Sequence, residues 1–292
     1  MNDKQSAHFE KYIKADIYQE SKRRYLNGES LTSIEKSGGM IRNRLAALLK
    51  YEGIEIRQNN SKHTYNTDAF KIVDTEEKAY WLGFLYADGC VTLIGTKGVK
   101  VSLSAVDEKH LEKFKNFLAP TAEIQKYEAY IKGKDKDYNS VRVTITNKEI
   151  AYDLVNLGCY ADKTEIIEFP FFIPKKLYKH FIRGFFDGDG CIANGVKGIF
   201  ILESISESFV RQIQSVLCDE AKIKKNKVSP YKRGSANKVM YRFFNQAKED
   251  LLKIYNYFYD DSTVYLERKK EIFERWIGHL LGNKQDSNGQ NR

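Results

Sequence analysis

The chain has 292 residues, with 48 Lys and Arg against 39 Asp and Glu, a formal net charge of +9. That length allows one large domain or two to three small ones, and the basic excess, with 19 Tyr and 17 Phe, points to a polyanionic partner, nucleic acid before membrane. Four scattered cysteines (Cys90, Cys159, Cys191 and Cys218) fit neither a zinc site nor a disulfide framework. A polar start and the lack of a long apolar run complete the expectation of a soluble, intracellular (cytoplasmic) protein without a membrane partner.

In chain order, residues 16–27 (DIYQESKRRYLN) predict a helix stopped by Gly28. Residues 30–36 (SLTSIEK) predict a short second helix with Ser30 as N-cap, then SGG at 37–39 a tight turn. Residues 40–53 (MIRNRLAALLKYEG) predict a third helix closed by Gly53, with Ile34, Leu45, Leu48 and Leu49 as a small core. This pattern, with the exit Gly53-Ile54-Glu55-Ile56-Arg57, resembles the helix-turn-helix modules of resolvase-type proteins. The resemblance implies a DNA-binding module over 1–57, reading bases with Arg42, Asn43 and Arg44 near the start of the third helix. A plain three-helix packing unit is the alternative. Residues 58–73 are polar and aperiodic and predict a linker.

From residue 74 the chain repeats itself. KAYWLGFLYADGC (78–90) and KHFIRGFFDGDGC (179–191) share Lys, Gly, Phe, Asp, Gly and Cys at equivalent places. The amphipathic stretches 106–118 and 205–217 correspond, as do 147–158 and 245–256, with β-rich runs between them. Each copy predicts α-β-β-α-β-β-α, giving an α+β chain of two pseudo-symmetric repeats (74–177 and 178–277) and a polar tail (278–292) without fixed structure.

Both apolar helices end in Asp-Gly. Asp74 with Glu77 predicts a capping box, Pro174 a first-turn residue, and Gly89 and Gly190 left-handed C-caps. Gly83 and Ala87 in one helix, and Gly184 and Gly188 in the other, form stripes of small residues. A mid-helix glycine costs about 1 kcal/mol relative to alanine, which close packing along those stripes offsets. Such packing brings Asp88 and Asp189 together at two helix C-termini, where the helix dipoles and mutual repulsion both disfavour carboxylates. A hard divalent cation resolves the conflict, with phosphate oxygens as further ligands, and metal-activated water attacking a phosphodiester is the chemistry this suits. Two solvated C-cap aspartates are the bland alternative.

Residues 81–89 (WLGFLYADG) and 182–190 (IRGFFDGDG) resemble the nine-residue motif of the LAGLIDADG homing endonucleases, in their single-chain, two-motif form. The resemblance spans roughly 74–277 and implies a monomeric DNA endonuclease making a metal-dependent double-strand break at a long asymmetric site, with saddle-shaped sheets in the major groove. It puts the metal-binding acids at Asp88 and Asp189, the helping carbonyls at Ala87 and Gly188, and Mg²⁺ or Mn²⁺ as cofactor. The sixth motif position is Tyr86 in the first copy and Asp187 in the second. The family's basic residues near the scissile phosphates fall on Lys163 and on one of Arg268, Lys269 and Lys270, with Lys269 favoured. The sheets' DNA contacts are expected from Lys97, Lys100, Lys126, Lys132, Arg142 and Thr144 in one half. Lys224, Lys225, Lys227, Lys232, Arg233, Lys238 and Arg242 are expected in the other. The rival reading is a LAGLIDADG-fold transcription regulator or RNA maturase that binds without cleaving.

Overall fold

The computed structural model describes residues 12–54, 56, 63–93, 98–129, 138–159, 167–193, 198–232 and 239–288. The protein is α+β, with ten α-helices and two four-stranded antiparallel sheets among these residues. The chain forms two units, Met1–Lys62 and His63–Arg292.

The first unit holds α1 (Asp16–Leu26), α2 (Leu31–Lys36) and α3 (Arg42–Tyr51). Ser30 caps α2 by accepting from the Ser33 amide, which satisfies a helix-start donor. Ile34, Leu45, Leu48 and Leu49 are fully buried with Tyr18, Tyr25 and Met40. The tight turn before α3 has a physical basis in Gly38 and Gly39. Gly38 has φ +85°, and a Cβ on Gly39 would lie 2.4 Å from the Ile34 side chain. Ser21, buried in the same corner, accepts from the Met40 amide at 2.9 Å.

Residues 63–73 do not behave as a linker. Thr64 and Asn66 donate backbone hydrogen bonds to the Thr121 hydroxyl and the Leu118 carbonyl, and Ala69, Phe70 and Val73 enter the core of the second unit. Their apolar residues are too few for a periodic signal, and tertiary burial decides their place.

The second unit contains the two repeats in the order α4 (Glu76–Asp88), β1 (Gly89–Thr92), β2 (Gly98–Ser104), α5 (Glu108–Leu118), β3 (Ile124–Ala129), β4 (Tyr138–Ile145), α6 (Lys148–Asn156). The second copy follows as α7 (Tyr178–Asp189), β5 (Cys191–Ala193), β6 (Ile199–Ser204), α8 (Glu207–Glu220), β7 (Ser229–Lys232), β8 (Val239–Asn245), α9 (Lys248–Tyr259). The sheets have matching orders, β1-β2-β4-β3 and β5-β6-β8-β7. Alternation along β4 buries Val141, Val143 and Ile145 against the helices and turns Arg142 and Thr144 outward. One apolar core runs through both repeats.

A further helix, α10 (Glu267–Asn288), takes in residues 278–288 of the stretch expected to be an unstructured tail. Its start is fixed by the second repeat: the buried Asp187 carboxylate accepts from the Leu266 amide at 2.8 Å, capping α10. At the head of α4 the cap is Thr75 rather than Asp74, which instead pairs with Lys78 at 2.9 Å. Pro174 precedes a short 3-10 turn, Lys175–Leu177, which leads into α7. Gly89 and Gly190 are extended, not left-handed, with φ −81° and −74°. Each helix passes straight into a strand that crosses its own last turn. A Cβ there would lie 2.6 Å from the Leu85 side chain or 2.2 Å from the Phe186 ring, so glycine is needed for room rather than for a turn.

Candidate active site

The site forms where α4 and α7 meet. From Ala79 to Tyr86 every residue of α4 is buried, and from Phe181 to Asp187 every residue of α7, as befits helices enclosed on all sides. Their contact is reciprocal. A Cβ on Gly83 would stand 2.0 Å from the Phe181 carbonyl oxygen, and one on Gly184 2.0 Å from that of Tyr80. One turn on, a Cβ on Gly188 would lie 2.3 Å from the Ala87 Cβ and 3.2 Å from an Asp88 carboxylate oxygen. The glycine stripes therefore allow backbone to meet backbone, and they deliver Asp88 beside the C-terminal end of α7. Asp88 and Asp189 are both exposed and end equivalent helices.

Beneath this end, Lys269 of α10 is buried. Its ammonium donates to the carbonyls of Phe186 (2.6 Å), Asp187 (2.8 Å), Gly188 (3.3 Å) and Gly190 (2.6 Å). A cation on the unsatisfied carbonyls of a helix end opposes the negative pole of the dipole. Burial pushes this ammonium below the ordinary lysine range, while Asp187, Asp88 and Asp189 favour its charged form. Lys269 thus reaches the two exposed acids through the field it sets up, from below the helix end. Its neighbours point elsewhere: Arg268 pairs with Asp107 at 3.0 Å, and Lys270 lies 4.3 Å over the Tyr265 ring.

The sixth motif positions serve the frame. Asp187 accepts from the Tyr80 hydroxyl at 2.7 Å, and burial raises its pKa. Tyr86, its counterpart, donates to the Leu157 carbonyl at the end of α6. A network not legible in the sequence ties the start of α4 to the middle of α7, the end of α9 and the segment before α10: Arg183 donates to Glu76 at 2.6 Å and to the Phe258 and Val264 carbonyls. An arginine inside an apolar motif, with acids far along the chain, was the only signal for it.

The expected DNA-contacting residues divide by register. Lys100 of β2 faces Thr144 of β4, and with Arg142 they occupy the outward side of the first sheet; Arg242 takes the equivalent side of the second. Lys126 does not join them. It is registered against buried Val141, on the helix side, and pairs with Glu108 at 2.8 Å. Lys232 has the same parity, paired with Val239. Lys224, Lys225 and Lys227 are exposed but precede β7, because residues 222–228 form no strand. The alternation expected there fails after Lys224, since its neighbour Lys225 is exposed as well. Arg42, Asn43 and Arg44 are exposed at the start of α3, with Arg44 over the Tyr12 ring at 4.9 Å. Lys97, Lys132, Lys163, Arg233 and Lys238 lie outside the described residues.

The donor set suits a hard cation. Gly188 lets the end of α7 approach Ala87 and Asp88, and the donors offered at the two helix ends are carboxylate and carbonyl oxygens. Among the described residues no three His, Cys, Asp or Glu side chains gather as a metal cluster. Ligation by one or two carboxylates, completed by waters and phosphates, is the usual magnesium mode. No helix among the described residues is long and apolar enough to cross a membrane.

The LAGLIDADG-like domain profile matches residues 75–157 and again 176–256. No curated protein matches the sequence. Solved structures of similar fold include the homing endonuclease I-WcaI bound to its DNA recognition sequence, at 11% identity and TM-score 0.47, covering 76% of this chain and 97% of that one. The meganuclease I-SmaMI bound to uncleavable DNA is similar at 11% identity and TM-score 0.43, covering 74% and 92%. The N-terminal LAGLIDADG domain of DUF199/WhiA is similar at 15% identity and TM-score 0.41, covering 73% and 90%. With two matches that together take in more than half of its residues, the chain belongs to the LAGLIDADG-like domain family.

Proposed function

We propose that the protein is a site-specific DNA endonuclease that makes a metal-dependent double-strand break at a long duplex target. The observation that carries this reading is the pair of exposed carboxylates, Asp88 and Asp189, at the ends of two helices packed backbone to backbone. An arrangement that concentrates negative charge at two negative helix poles favours a divalent cation over solvent. Asp88 and Asp189, with the Ala87 and Gly188 carbonyls, would hold Mg²⁺ or Mn²⁺, which when bound supplies Lewis-acid activation of water and of the leaving oxygen. Family likeness supports the choice of ion, since a homing endonuclease of similar fold, I-DmoI, is known in complex with its target DNA in the presence of Mg or Mn.

The chain's own residues do the positioning. The glycine contact fixes the separation of the two acids, and Lys269 offsets the charge gathered at the end of α7. Lys163 is proposed to stand near one scissile phosphate, where a cation stabilises developing charge. The outward sheet faces would lie along the duplex as a monomer spanning both half-sites, with Lys100, Thr144, Arg142 and Arg242 toward it. The first unit is proposed to be a helix-turn-helix module that adds a flanking contact through Arg42, Asn43 and Arg44.

A second reading, site-specific binding without cleavage, draws on one observation: the Lys269 ammonium already engages the Gly188 carbonyl. The experiment that decides is cleavage of a duplex library carrying a randomised segment, with and without Mg²⁺, by the wild type and by Asp88→Asn and Asp189→Asn. Metal-dependent double-strand products from the wild type alone support the endonuclease. Selective retention of library members without any cut favours the binding protein, and full cutting by either variant removes the assigned roles.

A further inference from the structure

The two sheets part company in one row of side chains beside the acids. In the first, Cys90 stands two residues past Asp88 and pairs with Lys100 of β2, which pairs in turn with Thr144 of β4. In the second, Cys191 stands two residues past Asp189 and pairs with Ile201 of β6, which pairs with Phe244 of β8. The rows are equivalent, since each starts at the same step after a helix end and crosses three strands in the same sheet order. The residues that flank them, such as Val143 and Ile145 or Phe243 and Asn245, are buried, so by alternation both rows point outward. All but the part-exposed Ile201 are exposed. The first row is polar and carries a positive charge. The second is apolar across all three strands, a free cysteine counting as a small hydrophobe, and Phe244 is 46% exposed.

Contiguous apolar side chains held toward solvent mark a surface that something covers. The place of this row says what. On the DNA-binding reading above, the outward faces lie along the duplex, and a row two residues from an acid meets the base pairs beside the cleavage centre. Phosphate is a poor match for it. The other charges on the outward side of this sheet, among the described strand residues, are Arg242 and Glu203, which face each other in the register and cancel in net charge. In a major groove the apolar group on offer is the C5-methyl of thymine, which the other three bases lack.

We infer that Cys191, Ile201 and Phe244 select thymine by its methyl group, at base pairs next to the centre in one half of the target. The equivalent row of the first sheet has no such preference, so the two halves are recognised by different chemistry, polar and charged on one side and apolar on the other. This rests on the DNA-binding reading and names the base chemistry that one sheet demands.

The test begins with the wild type alone. Duplexes bound without Mg²⁺ are selected from a library randomised over the whole site, and the enriched target is remade with deoxyuridine in place of each thymine in turn. That change deletes the methyl and keeps the base pairing. Affinity should fall by roughly fourfold for each methyl the row covers, at one or more thymines beside the centre in one half and not at the matching places in the other. Ile201→Lys and Phe244→Thr, which give the second sheet the residues of the first, should each reduce this sensitivity to uracil. Together they should turn the inner base pairs of that half into an inverted copy of those in the other half. Both positions face solvent, thermal midpoints report whether the variants keep the fold, and the uracil measurement stands without them. A target with no thymine beside the centre, thymines indifferent to uracil, or a uracil effect that survives both substitutions overturns the inference and leaves DNA binding intact. A library without any enrichment overturns both.

Discussion

Arg183 and Glu76 meet at 2.6 Å across the contact between the repeats, although 107 residues separate them in the chain. Arg183 is fully buried, and Glu76 also accepts from the Thr263 amide and hydroxyl and the Val264 amide. The pair therefore ties α4, α7 and the segment before α10 into one structure. Losing one member leaves the other charge buried without compensation, which costs about 3–5 kcal/mol. Glu76→Ala should lower stability by that order in urea unfolding. The double variant Glu76→Leu/Arg183→Met should lose clearly less than the sum of its single changes. Additive losses would mean that the two do not act as a unit.

Acid should weaken the fold before carboxylates titrate. Burial lowers the pKa of His110 to about 4, helped by Lys113 and partly offset by Glu267 and Asp107. Burial does the same for His180, with Arg183 adding to it and Glu76 opposing. Between the ordinary value near 6.5 and about 4, the unfolded chain binds protons that the folded chain refuses. Stability therefore falls across that window, by up to roughly 2 kcal/mol per histidine from pH 7 to 5. Glu76, held below the usual carboxylate range, extends the loss to lower pH, while Asp187, held above it by burial, works in the opposite sense. Urea midpoints at pH 7 and pH 5 measure the drop, and His110→Phe should remove about half of it. A flat wild-type profile would contradict this account.

The position of Lys269 separates a structural charge from a phosphate contact. Lys269→Met should remove donors from four carbonyls and take away the cation that most favours the charged form of Asp187, destabilising the protein by about 3 kcal/mol or more. A lysine whose only work is to touch DNA would slow cleavage with the thermal midpoint unmoved. That outcome would return Lys269 to the phosphate.

The boundary between the units can be tested by deletion. Removing residues 1–62 should leave the second unit with a cooperative melt near that of the full chain, since its core begins with residues 63–73. A deletion through residue 73 also takes out Phe70 and Val73, which are 1% and 5% exposed, and should lower the midpoint by many degrees. Equal midpoints for the two deletions would show that these residues do not support the core.

The repeat, the glycine stripes and both terminal acids were legible because each is local in sequence and occurs twice. What stayed hidden depends on pairing between distant parts. Lys126 and Arg142 look alike as basic residues in strands, and only register assigns one to the helix side and the other outward. Gly89 and Gly190 have the composition of turn glycines, yet the constraint is the strand passing over Leu85 and Phe186. The sequence offers Lys269 among three basic neighbours as a residue near a scissile phosphate, and its four carbonyl partners stay hidden because they belong to the end of a helix some 80 residues earlier. The tail read as unstructured from its polarity, whereas Asp187 provides the cap that starts its helix.

The joint between Gly83 and Gly184 has a consequence for how such a chain can be rebuilt. At closest approach each helix offers only a bare α-carbon to the other's main chain, so the fit is almost indifferent to what the sheets carry. Either half can then be exchanged for that of a relative bearing the same glycine-faced helix, provided the Glu76–Arg183 tie is carried across. On the endonuclease function proposed above, the hybrid would take one portion of its target from each parent, with the spacing of its two cuts still set by the untouched joint.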